Sequence, residues 1–139
     1  MQTGWGQFRL TERDQMPDPR QNIVVVDDDA GMNQAIERLV KAAGYRAVTF
    51  SSAEELLEAG AAINASCLIL DVHLPGLSGF QLWRRLEEER MTPPVIFITA
   101  YDDPASRAQA RDAGALAYFT KPFAGQNLLK AINGAVERT

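Results

Sequence analysis

The chain has 139 residues, 46% of them hydrophobic and 23% charged, the profile of one domain with room for a sizeable core. Its formal net charge of −4 excludes broad electrostatic binding to nucleic acid, which needs a basic face, and no apolar run approaches the roughly 20 residues of a membrane span. A single cysteine, Cys67, excludes an intrachain disulfide and points to a reducing, cytoplasmic setting. Residues 1–21 are polar, broken by Gly and Pro, and lack a signal-peptide core. They read as a flexible extension, with Trp5, Phe8 and Leu10 as stray apolar residues, ahead of a domain over 22–139.

Ile23 to Val26 is a β-branched run suited to a strand covered on both faces. Past the acids Asp27, Asp28 and Asp29, the residues Met32, Ala35, Ile36, Leu39, Val40 and Ala43 recur at helical spacing, and Gly44 marks the helix end. Arg46 to Phe50 predicts a second strand, and Ser52-Ala53-Glu54-Glu55 predicts a capping box opening a helix through Leu56 and Leu57. Cys67 to Leu70 is the third strand, its cysteine a small core residue. Ser78 then caps a helix that turns Phe80, Leu82, Trp83 and Leu86 inward and Arg84 to Glu89 outward. After Pro93-Pro94 come a fourth strand, Val95 to Ile98, and a short Ala-rich helix from Pro104 to about Ala113, ended by Gly114. Ala117 to Phe119 predicts the fifth strand. Leu128, Leu129, Ile132 and Val136 form the inward face of a last helix. Five repeats of strand then helix imply a parallel sheet with helices on both faces, whose ligands sit beyond the carboxyl ends of the strands.

That edge is where the chemistry collects. The acidic triplet ends the first apolar run, Asp71 the third, Thr99 the fourth, and Lys121 follows the fifth. Hard carboxylate oxygens suit Mg²⁺, which takes one or two carboxylates and keeps several waters. Asp28 and Asp71 supply those two ligands, Asp27 holds a metal-bound water, and the His73 backbone carbonyl lies close enough along the chain to join them. Asp29 also suits the N-terminus of the next helix. With a cation beside it, Asp71 becomes a nucleophile for a phosphoryl group. Lys121 offers a point charge, Thr99 a hydroxyl, and the backbone N–H groups of Val72 and Ala100 an anion cradle. Each residue also has an ordinary use, as turn acid, strand threonine or solvent lysine. No Ser/His/Asp or Cys/His set and no P-loop glycine pattern is present.

Four segments, Val25-Val26-Asp27-Asp28, Leu70-Asp71-Val72-His73-Leu74-Pro75-Gly76-Leu77-Ser78-Gly79, Ile98-Thr99-Ala100 and Thr120-Lys121-Pro122-Phe123, together resemble the receiver domain of two-component response regulators over residues 22–137. The resemblance implies a flavodoxin-like, doubly wound α/β fold of five strands in order 2-1-3-4-5 with five helices. It implies phosphorylation of Asp71 by a histidine kinase or phosphotransfer protein, with Mg²⁺ on Asp28, Asp71 and the His73 carbonyl and with Asp27 acting through water. Thr99 and Lys121 contact the phosphoryl group, Tyr118 is the aromatic switch, and Lys121-Pro122 is a cis bond that aims Lys121 inward. The switched surface is helix 4, strand 5 and helix 5, which controls a downstream protein or output domain and is the candidate face of a homodimer. No direct nucleic-acid or membrane contact is expected of this segment. His73 and Tyr101 border the path of hydrolytic water, where the bulk of Tyr101 is expected to slow phosphoryl loss.

Two rival readings use the same residues. A phosphohydrolase with an aspartyl-phosphate intermediate needs a second acid where His73 stands. A phosphorylation-independent protein-binding module on the same fold commonly lacks one of the acids, the Thr or the Lys, and this chain has them all. The favoured reading is a phosphoacceptor switch, either stand-alone or the receiver of a longer transcription regulator, and not an enzyme beyond its own phosphotransfer and autodephosphorylation.

Overall fold

Alternation along each strand decides which helices cover which face of the sheet. A computed structural model describes residues 21–137; residues 1–20 of the expected N-terminal extension, with Trp5, Phe8 and Leu10, lie outside them. The strands are β1 (Asn22–Val26), β2 (Arg46–Phe50), β3 (Cys67–Asp71), β4 (Val95–Thr99) and β5 (Ala117–Thr120). All neighbouring pairs are parallel, in the order β2-β1-β3-β4-β5. The helices are α1 (Ala30–Ala42), α2 (Ala53–Ala59), α3 (Gly79–Glu88), α4 (Pro104–Asp112) and α5 (Gly125–Glu137). Val24, Val26, Leu68, Leu70 and Phe97 pack against α2, α3 and α4, while Ile23, Val25, Cys67, Ile69, Ile96 and Ile98 pack against α1 and α5. Strands buried on both faces need continuous apolar runs, which is why the three central ones read as such. The expected fold class and strand order are the observed ones.

Local chemistry sets the helix ends. Ser78 Oγ accepts from Gln81 N–H while Gln81 Oε1 accepts from Ser78 N–H, a complete capping box. The box expected at α2 is only half made. Ser52 Oγ accepts from Glu55 N–H, but the Glu55 carboxylate turns back to Ser51, one residue earlier. Ala35 and Ala43, which share the helical spacing of the apolar residues of α1, are exposed, and Asn33 is buried. A 3-10 turn over Ala61–Asn64, not anticipated, joins α2 to β3. Burial pushes the Cys67 thiol up to about 12, so it stays protonated and packs as a core residue.

Candidate functional site

β1, β3 and β4 are adjacent and parallel, so their carboxyl ends open on one edge. Asp27 follows β1, and Asp71 and Thr99 are the last residues of β3 and β4. All three are buried, while Asp28 is exposed. Asn33, on the first turn of α1, explains part of this order. Its Nδ2 donates to the Asp27 carbonyl at 2.8 Å and the Phe50 carbonyl at 3.2 Å, tying the ends of β1 and β2 together. Asp29 caps α1 by accepting from Gly31 N–H and Met32 N–H, which leaves Asp27 and Asp28 to face the edge. Carboxylate oxygens of Asp27, Asp28 and Asp71 lie within 4.8 Å of one another.

Lys121 enters from the β5–α5 loop, where its N–H donates to the Thr99 carbonyl at 2.7 Å and its bond to Pro122 is cis. The ammonium donates to Asp27 Oδ2 at 2.7 Å and Asp71 Oδ2 at 3.1 Å. One ammonium against three carboxylates leaves the cluster with surplus negative charge. That surplus, all of it on hard oxygen donors, fits a divalent cation. Burial raises the Asp71 carboxyl above its ordinary value, and the Asp27 charge adds to this. The His73 N–H, 3.1 Å from Asp71 Oδ1, and the Lys121 ammonium pull it partly back. Burial disfavours the charged Lys121, but its bonds to Asp27 and Asp71 outweigh that and raise its pKa.

Two expectations need adjusting. Val72 N–H donates to the Ile98 carbonyl at 2.9 Å, so the sheet ladder already uses one arm of the expected anion cradle. The N–H that reaches the Asp71 carboxylate is that of His73, whose backbone carbonyl rather than its N–H is expected to serve the site. The Thr99 hydroxyl bonds to the Tyr101 backbone, accepting from its N–H and donating to its carbonyl, each at 3.0 Å. Ala100 is exposed beside it. The edge therefore holds a buried carboxylate, an ammonium bonded to it, three acids close enough to share an ion and a threonine hydroxyl bonded to the backbone.

Residues 23–133 match the model of the family described as "Response regulator receiver domain". The chain belongs to that family. Among curated relatives of this receiver, the response regulator protein TmoT of Ectopseudomonas mendocina is 39% identical over 90% of the chain and 57% of the relative. Nodulation protein W of Bradyrhizobium diazoefficiens is 39% identical over 84% of the chain and 51% of the relative. The chain thus spans about half the length of the curated relatives it matches. Among solved structures, the BeF3-activated DrrB receiver domain is 34% identical, with a TM-score of 0.76 over 85% of this chain and 98% of that one. Receiver domains of this family are phosphorylatable switches rather than turnover enzymes.

The receiver's Tyr118 stands on β5, half-buried, and its hydroxyl donates to Asp102 Oδ1 at 3.2 Å. Asp102 also accepts from Arg107 of α4, at Nε and at Nη2. A carboxylate in the β4–α4 loop thereby joins α4 to β5, a contact with no signal in the sequence motifs. On the other side of that loop, the Tyr101 ring meets His73 edge-on, with centroids 5.8 Å apart. No helix among the described residues is long and apolar enough to cross a membrane.

Proposed function

We propose that Asp71 is the phosphoacceptor of this receiver, taking a phosphoryl group from a histidine kinase or phosphotransfer protein in the cytoplasm. The observation that carries the reading is the Lys121 ammonium bridging the Asp71 and Asp27 carboxylates beside the exposed acid Asp28. An Asp71 oxygen forms the new P–O bond and the donor's P–N bond breaks. The imidazole leaves with that electron pair and later takes a proton from solvent. Asp28, Asp71 and the His73 carbonyl would hold Mg²⁺, with Asp27 acting through a water. Bound there, the ion would neutralise charge on the phosphoryl oxygens. Lys121 holds a second positive charge against Asp71 Oδ2, and the N–H of Ala100 lies beside Thr99 on the same edge.

The output follows from Thr99. Its hydroxyl leaves the Tyr101 backbone for the new oxygens, the space behind it opens, and Tyr118 turns inward, which shifts a population already sampled. The α4–β5–α5 face then changes shape toward a downstream protein, an output domain or a second copy of the chain. Self-directed phosphotransfer and autodephosphorylation are the only chemistry assigned to the unit, which we take as residues 22–139, and this segment is given no nucleic-acid contact. Incubation with Mg²⁺ and acetyl phosphate tests the reading by intact mass. A gain of one phosphoryl group that Asp71→Asn abolishes is expected. An unmodified chain, with a spectrum unmoved by beryllofluoride, would instead identify a phosphorylation-independent binding module.

A further inference from the structure

The loop between β3 and α3 is fixed firmly at its two ends. At the start, His73 N–H is tied to Asp71. At the finish, Gly79 N–H donates to the Val72 carbonyl at 3.1 Å. The crest between them, Pro75 and Gly76, is exposed. There a carboxylate from another element meets it. Glu54 Oε2, from the first turn of α2, accepts from Leu77 N–H at 3.0 Å. Gly76 has φ +76, and a Cβ on it would lie 2.6 Å from the same oxygen, so the carboxylate lies flush against the turn. Ser52 caps α2 and Glu55 turns back to Ser51, so the Glu54 carboxylate, besides meeting its own N–H at the helix start, is the one that reaches the loop. The bond to Leu77 N–H also holds the Glu54 carboxyl below its ordinary range, so it is charged at neutral pH.

We propose that Glu54 is a positioning residue of the receiver site, clamping the crest of the β3–α3 loop that carries the His73 carbonyl, which would join Asp28 and Asp71 in holding the cation. The inference rests on the metal reading above. It requires a hydrogen-bond acceptor at residue 54 and not a charge. Outer groups that orient metal ligands typically change affinity by an order of magnitude or more when removed. A single exposed clamp on a loop already tied at both ends falls at the low end of that scale.

The test is Mg²⁺ titration of the full chain, followed by the amide signals of His73 and Leu77 in NMR spectra. Glu54→Ala is expected to weaken Mg²⁺ binding roughly threefold to tenfold and to expose the Leu77 amide to solvent exchange. Glu54→Gln keeps an acceptor oxygen and is expected to stay within about twofold of the unaltered protein. Glu55→Ala, which loses the bonds to Ser51, is expected to lower Tm while leaving Mg²⁺ affinity unchanged. Glu54→Ala binding as tightly as the unaltered protein, or Glu54→Gln falling as far as Glu54→Ala, overturns the clamp. An unaltered protein that does not bind Mg²⁺ overturns the metal reading itself, and the clamp with it. Binding that Asp28→Asn abolishes but Glu54→Ala leaves intact removes the clamp alone.

Discussion

Asp71 is held ready at a cost to the fold. Burial and the Asp27 charge raise its carboxyl above the ordinary value, so the charged form is less favourable in the native state than in the unfolded chain. Below the ordinary carboxylate range Asp71 is neutral in both states and costs nothing, and the cost grows as pH rises through the raised value. Asp71→Asn is therefore expected to stabilise the protein at pH 7 by about 1 kcal/mol, roughly 3–6 °C in Tm. The gain should shrink toward zero as pH falls to about 4. Paired thermal melts across that range check it, and a variant no more stable at pH 7 contradicts it. Gly79 is constrained in the opposite sense. A Cβ there would sit 2.3 Å from the Asp71 carbonyl oxygen, so α3 meets the end of β3 backbone to backbone. Gly79→Ala is expected to cost about 2–3 kcal/mol, measured by urea unfolding, and to slow phosphorylation by displacing Asp71. At the rim, Tyr101 is 72% exposed with its edge on His73. If that pair screens hydrolytic water, Tyr101→Ala shortens the phosphoryl lifetime several-fold; an unchanged lifetime removes the role.

Between elements, the carboxylate of Asp102 is the piece that couples the β4–α4 loop to β5. Hydrogen bonds from Arg107, and then from Tyr118, hold its carboxyl below the ordinary range, so at neutral pH it anchors both partners. While Tyr118 is so tied, its hydroxyl has a reason to stay outside. Asp102→Ala is expected to free the ring, raise the inward population before phosphorylation and tighten beryllofluoride binding a few-fold, read from Tyr118 ring signals and a titration. Unchanged affinity would show that the tie does not bias the switch. Much of this level was legible in advance, because apolar runs ending in Asp27, Asp71 and Thr99 encode both a buried strand and its exit. What escaped depends on register and distance. Asn33 belongs to no motif, and its amide gains a role only where the ends of β1 and β2 come together. The fate of Val72 N–H required knowing that Asp71 pairs with Ile98. Glu54 meets a loop with which it shares no sequence pattern. The motif residues were readable because their chemistry is intrinsic, whereas the supporting residues acquire theirs only from their neighbours.

For the molecule as a whole, folding is what brings the acids of the proposed cation site together. Asp28 comes from the end of β1 and Asp71 from the end of β3, strands that meet only once the sheet is built. In the unfolded chain these acids are far apart and hold a divalent ion no better than any other carboxylates. A ligand that binds the native state alone stabilises it by RT ln(1 + [L]/Kd), so Mg²⁺ at ten times its Kd should add about 1.4 kcal/mol and roughly 4–6 °C to Tm. Part of this gain is relief of the burial cost and Asp27 repulsion that raise Asp71, so Mg²⁺ should also narrow the stability difference between the unaltered protein and Asp71→Asn. General screening does not explain such a shift, since NaCl of equal ionic strength weakens the Lys121 pairs as well as the carboxylate repulsion. Thermal melts in MgCl₂ and in matched NaCl, on the unaltered protein and on Asp28→Asn, separate the two effects. A Mg²⁺ shift that survives Asp28→Asn, or that NaCl reproduces, would mean the acidic edge binds no specific ion and that Lys121 alone balances Asp71.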